Sequence, residues 1–274
     1  MLRKLFSLVA PALLASPMLA GCGADLGGED EAVAEARQPS HSWGNYHWAR
    51  TNNPFTLQLL DGLTSEWDPY LATTSNDWSA SVVLNTTIAP GPTNPKRCKP
   101  TTGKVQVCNA RYGSNGWLGI AQIWALGGHI TQGVVKLNDT YYETPKYDTV
   151  AWRNVVMCQE VGHIFGLAHN DEDFSTTNGT CMDYSNDPVP NQHPDQHDYD
   201  QLVTIYSHLD AVTTVASGDE VPDAQVPPAL GNADFSAMEE WGDLEHTSPG
   251  GHTDTFVRDF GEWTLITFAT WAAE

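Results

Sequence analysis

Residues 149–169, Thr-Val-Ala-Trp-Arg-Asn-Val-Val-Met-Cys-Gln-Glu-Val-Gly-His-Ile-Phe-Gly-Leu-Ala-His, constrain this chain more than any other stretch. Asp148 or Thr149 can serve as an N-cap, and Gly166 is placed to stop the helix. The spacing predicts a helix to about Phe165 whose buried face carries Ala151, Val155, Cys158, Val161, Gly162 and Phe165. Gln159 and His163 stand four apart, so they project from one face and can address a common ion. Glu160 borders the same face without having to ligate, which is where a general base belongs. Gly166 lets the chain reverse and bring His169 back as a third ligand. A zinc ion with three protein ligands and an open position binds water and lowers its pKa to about 7. Cys158 is turned away from His163 by its five-residue offset, and it fits a disulfide better.

The N-terminus reads as a targeting segment. Arg3 and Lys4 precede an apolar run from Leu5 to Leu14, and Leu19-Ala20-Gly21-Cys22 is similar to a bacterial lipobox, whose cysteine is lipidated. Residues 1–21 are expected to be a signal peptide, and the apolar run is too short for a mature spanning helix. The expected location is the bacterial cell envelope, with a membrane anchor at Cys22, or release by secretion. The formal net charge of −21 argues against nucleic acid and anionic lipid as partners. Cys98, Cys108, Cys158 and Cys181 then remain, an even number in an oxidising compartment. Three pairings are possible; Cys98–Cys108 and Cys158–Cys181 are favoured, the second tying the helix to the Met182 segment.

The composition divides the rest. Residues 22–40 are small, acidic and polar, and read as a tether. A globular region is expected over 41–210, a Pro-containing linker over 211–233, and an acidic β segment over 234–274 with a hairpin made of Thr253–Asp259 and Trp263–Trp271. Strand candidates are Phe55–Leu60, Ser81–Ile88, Lys104–Asn109, Leu118–Trp124 and Gly133–Leu137; further helices are expected near Ser65–Ser75 and Asp198–Leu209. Strands followed by helices imply an α+β domain.

The run from Gln159 to His169 resembles the H-E-x-x-H-x-x-G-x-x-H pattern of the metzincin zinc endopeptidases, with glutamine at the first ligand position. Cys181-Met182-Asp183-Tyr184-Ser185 is similar to the Met-turn of that clan, and Met182-Asp183-Tyr184 also resembles the pappalysins. Gly133–Asn138, as a possible substrate-pairing edge, and the Asp200…Ile205-Tyr206 helix are similar to the matrixins. The resemblance covers roughly residues 41–210. It implies a metzincin-like domain with a twisted, mostly parallel or mixed sheet, an active-site helix and a C-terminal helix. It implies zinc held by His163, His169 and Gln159, with Glu160 as base and Tyr184 as a further catalytic residue. The implied activity is peptide-bond hydrolysis by metal-activated water on protein or peptide substrates.

An amide oxygen is a poorer zinc ligand than imidazole. Gln159 therefore either ligates weakly or only hydrogen-bonds, and the alternative to an enzyme is a catalytically weak or inactive surface binding protein of the same fold. The aromatic residues leave a carbohydrate-binding module as a weaker third reading. Met182 is expected to pack rather than ligate. Asp171, Glu172 and Asp173 offer oxygen ligands for calcium, although a solvated acidic loop explains them as well. His193 and His197 are read as surface residues.

Overall fold

The computed structural model describes residues 41–91, 96–216 and 235–273. The leader, Cys22, the tether and most of the expected linker lie outside these. Of the described helices, none is long and apolar enough to cross a membrane.

Nine strands form one mixed sheet beside a layer of helices, an α+β architecture. In chain order they are β1 (His47–Trp48), β2 (Phe55–Gly62), β3 (Leu84–Pro90), β4 (Val105–Ala110), β5 (Trp117–Leu126), β6 (His129–Asn138), β7 (Asp243–Thr247), β8 (Thr253–Phe260) and β9 (Trp263–Trp271). The helices are α1 (Asp68–Trp78), the single turn α2 (Asp139–Tyr142), α3 (Val150–Ile164) and α4 (Gln196–Ile205). The order across the sheet is β3-β2-β4-β6-β5-β9-β8-β7, with β1 also pairing β6. The first half, β3-β2-β4-β6, is parallel; from β5 outward every pairing is antiparallel.

The expected strands are all present with shifted ends, and both disulfides join the favoured pairs, Cys98–Cys108 and Cys158–Cys181. β5 and β6 read Trp-Leu-Gly-Ile-Ala-Gln-Ile-Trp and Gly-Val-Val-Lys-Leu, and both are buried along nearly their whole length. Such strands lie inside a sheet covered on both faces. This corrects the edge expected at Gly133–Asn138: β6 pairs with β4 on one side and β5 on the other, so its backbone groups are already satisfied. β5 lies next to β6, and β9 pairs with its other side from Trp117 to Leu126.

The C-terminal segment is therefore part of the main sheet. Its hairpin turns at Gly261, where φ is +84°, and β8 and β9 pair in continuous register. Residues 211–216, the beginning of the expected linker, lie on the domain: Thr214 N–H donates to Ala49 O at 2.9 Å and Ala216 N–H to Gly103 O at 3.0 Å.

α3 begins where expected, with the Thr149 hydroxyl accepting from Trp152 N–H. Its buried surface is wider than the expected stripe, because Arg153 and every residue from Val155 to Ile164 are buried. The sheet, α1 and the Met182 segment enclose it from different sides. α4 starts two residues before the expected position, since Asp195 and Asp198 form a reciprocal capping box.

Candidate metal and catalytic site

The last turn of α3 brings the two expected histidines together. His163 is fully buried; its Nδ1 lies 2.8 Å from Leu167 O, so Nδ1–H donates there and the Nε2 lone pair faces His169. His169 returns after Gly166, with its Nε2 3.2 Å from His163 Nε2 and the rings perpendicular. Gly166 has φ +92°, and a Cβ there would lie 2.4 Å from Tyr46 O, so the reversal needs glycine. Burial pushes His163 down to about 4, and burial together with the neighbouring histidines holds His169 well below the usual range. Both rings are thus neutral at pH 7, the form that ligates a metal.

Gln159 is committed elsewhere. Its amide nitrogen donates to Cys181 O and Asp183 O, both at 3.1 Å, and its Oε1 accepts from the Thr270 hydroxyl at 3.0 Å. The glutamine thus clamps α3 to the segment around Met182 and to β9. A histidine at this position could not form all three bonds, since imidazole carries only two nitrogens.

Glu160 points from α3 to β5. A Cβ on Gly119 would lie 2.8 Å from Glu160 Oε1, so the glycine makes room for the carboxyl. Glu160 is fully buried and neither oxygen has a hydrogen-bond partner among the described residues. Burial pushes its pKa up to about 8, with only partial relief from the nearby Thr270 hydroxyl, which donates to Gln159. A proton therefore rests on this carboxyl at pH 7.

Met182 packs as expected: a Cβ at Gly162 would meet its sulfur at 2.4 Å, which makes glycine the residue that admits it. Tyr184 is buried, with its ring 5.5 Å from His169 and, among the described residues, no hydrogen-bond partner for its hydroxyl. Asp171 and Asp173 cap the turn of their own loop, accepting from Asp173 N–H and Ser175 N–H, and Glu172 pairs with His246 at 2.6 Å. His193 is exposed and paired with Asp77, whereas His197 is half-buried and stacked on His41, so only the first is a surface residue.

Residues of the tail that sequence reasoning left out complete the surroundings. Phe268 stacks flat on His163, with ring centroids 4.4 Å apart and planes 6° apart. Thr270 holds Gln159, and His252 stacks on Phe174 beside Tyr184. Phe268 and Thr270 lie two apart on β9, so they project from one face toward α3. Alternation within Trp263–Trp271 marked that strand, but nothing in it named the helix it would meet.

Two imidazole nitrogens thus stand where both could reach one metal ion. The third position, Gln159, offers its oxygen to Thr270 instead. As arranged, the set is one ligand short of an open catalytic zinc site.

No protein-family profile and no curated protein matches the chain. Among solved structures, it is similar to high choriolytic enzyme 1, a hatching enzyme zinc-protease from Oryzias latipes. That pair is 12% identical, covers 60% of this chain and 96% of the other, and has a TM-score of 0.34. It is also similar to archaemetzincin from Archaeoglobus fulgidus, at 18% identity, 53% and 98% coverage and a TM-score of 0.29. Likeness this low carries no argument about chemistry, which rests on the residues themselves.

Proposed function

We propose that the chain is a metzincin-type zinc endopeptidase whose site is closed by its own C-terminal strand. The observation that carries this reading is the pair of neutral imidazoles, His163 and His169, with facing nitrogens 3.2 Å apart. Bound between them, zinc would supply a water of lowered pKa and polarise a peptide carbonyl. The chain's own residues keep that chemistry shut. Phe268 lies over His163, Thr270 withholds the Gln159 oxygen, and β9 occupies the β5 edge, where an extended peptide would pair. Withdrawal of β9 would undo all three at once. Gln159 would then be free to complete the ligand set, and Glu160, reached by water, would ionise at a lower pH and accept a proton.

The second reading is a non-catalytic surface binding protein of the same fold. The three hydrogen bonds of Gln159 favour it, because they give the glutamine a structural purpose that needs no metal.

Zinc affinity and casein cleavage, measured for the parent, Thr270→Val and Gln159→His, separate the two. A gated enzyme gains affinity and cleavage in both variants. If both bind zinc at the His163–His169 pair and still cleave nothing, the enzymatic reading fails. Lipidation of Cys22 is part of the same proposal and is read by the mass of the N-terminal peptide; an unmodified Cys22 in envelope fractions removes it.

A further inference from the structure

A second group of histidines gathers far along the chain from the first. His47 on β1 and His129 at the start of β6 are direct partners in the parallel pairing of those strands. His208 and Asp210 follow α4 and come to the same place. His47 Nε2 and His129 Nε2 each lie 3.4 Å from Asp210 Oδ1, His208 Nε2 lies 3.7 Å from it, and His208 Nε2 is 3.2 Å from His47 Nε2.

The His129 and His208 contacts to Asp210 Oδ1 are longer than a nitrogen–oxygen hydrogen bond of about 2.7–3.2 Å, and the His47 contact at 3.4 Å is a long one. One carboxylate oxygen approached by three imidazole nitrogens at such distances is poorly explained by hydrogen bonding. The ligand atoms of His47, His129 and Asp210 lie within 4.8 Å of one another, room for one small cation among them, and the exposed His208 stands beside His47 and Asp210. The groups behind the ligands also fit. His47 Nδ1 lies 2.7 Å from Asn45 O, so Nδ1–H donates and Nε2 carries the lone pair. Asp210 Oδ2 accepts from the Arg50 backbone N–H at 3.1 Å and from the buried Arg50 guanidinium at 2.9 Å, which leaves Oδ1 facing the imidazoles. The same guanidinium donates to His208 O, fixing the loop that carries both ligands.

We propose that His47, His129, His208 and Asp210 form a structural zinc site, separate from the His163–His169 pair. With His208 turned onto the ion, three imidazoles and a carboxylate would fill a tetrahedron and leave no open position, which makes the site structural. Its effect is mechanical. It fastens β1, the β5–β6 turn and the end of α4, three segments remote in sequence. Side-chain exposures of 38% for His129 and 54% for His208 leave the ion a route in from solvent.

The test uses the full chain, in which His163→Ala/His169→Ala removes the first pair. This variant should retain one equivalent of zinc after dialysis, melt several degrees higher with zinc than with chelator, and give the intense visible bands of tetrahedral cobalt(II) when loaded with cobalt. Adding His129→Ala should abolish all three, and Asp210→Asn should do the same. His129 is the more exposed ligand and its replacement should leave the fold intact, so the test stands even if Asp210→Asn, which strips Arg50 of its partner, fails to fold. Loss of zinc from His163→Ala/His169→Ala alone, weak six-coordinate cobalt bands, or retention of the ion after His129→Ala would each overturn the proposal.

Discussion

The two histidine clusters answer the same chemical demand in opposite ways. At the end of α3, two imidazoles face one another, but the adjacent Gln159 is hydrogen-bonded to Cys181, Asp183 and Thr270, and Phe268 lies over the site. Beside β1, Asp210 Oδ1 faces the Nε2 atoms of His47, His129 and His208 at 3.4–3.7 Å, backed by Asn45 and Arg50. The first cluster sits in a recognisable motif and lacks a ligand. The second has no motif, and its proposed ligands are three imidazoles and a carboxylate. Metal affinity follows the donor atoms and the groups that orient them, so the recognisable sequence is the weaker guide here.

The sharpest way to break the comparison is to disturb the tail. Phe268→Ala should cost about 3–5 kcal/mol by urea unfolding, as expected for a large aromatic removed from a core. A cost under about 1 kcal/mol would mean β9 is a loosely applied cover and not part of the fold. Chelation comes next. If the second cluster holds zinc, excess chelator should lower stability by about 4 kcal/mol relative to zinc at a thousandfold its dissociation constant. Calorimetry should find the same loss in His163→Ala/His169→Ala, and no chelator effect would dissolve the contrast between the clusters.

The covered site should also show itself in pH dependence, measured without metal. The Glu160 pKa rises from 4.5 to about 8 through burial, so between these values the folded state keeps a proton that the unfolded state has released. The contribution of this group is thus fully present below pH 4.5 and is lost as pH rises towards 8. Glu160→Gln mimics the neutral acid; thermal melts should show it gaining on the parent over this range, by about 4 kcal/mol at the alkaline end. A constant difference would mean the carboxyl is already ionised in the fold. Smallest is Thr270→Val, expected to cost about 1 kcal/mol for one lost hydrogen bond while zinc affinity at the first pair rises. Unchanged affinity would show that the Gln159 oxygen was never withheld by β9.

Local signals carried a good share of the structure. The α3 helix, with its Thr149 cap and Gly166 stop, was legible because capping and termination depend on neighbours within a turn. The β8–β9 hairpin was legible for the same reason, through alternation on either side of Gly261. The proximity of His163 and His169 followed from a helix and one reversal.

What was missed lies at long range. Gly133–Asn138 looked like an edge because its sequence cannot state how many strands flank it; pairing on both sides came from β4 and β5. The segment after Asp210 looked like a linker and an appendage because Pro and acidic residues dominate it, yet β9, β8 and β7 extend the main sheet beyond β5. By itself, the sequence determined the helix, the hairpin and the proximity of His163 and His169, and it favoured the two cysteine pairs among three possibilities, since each depends on short separations or on a small set of possible pairings. Tertiary structure alone decided that β9 seals β5, that Gln159 serves as a clamp, and that His47, His129, His208 and Asp210 meet. The physical reason is that strand pairing and ligand convergence join residues far apart in the chain, where no local period or cap records the partner.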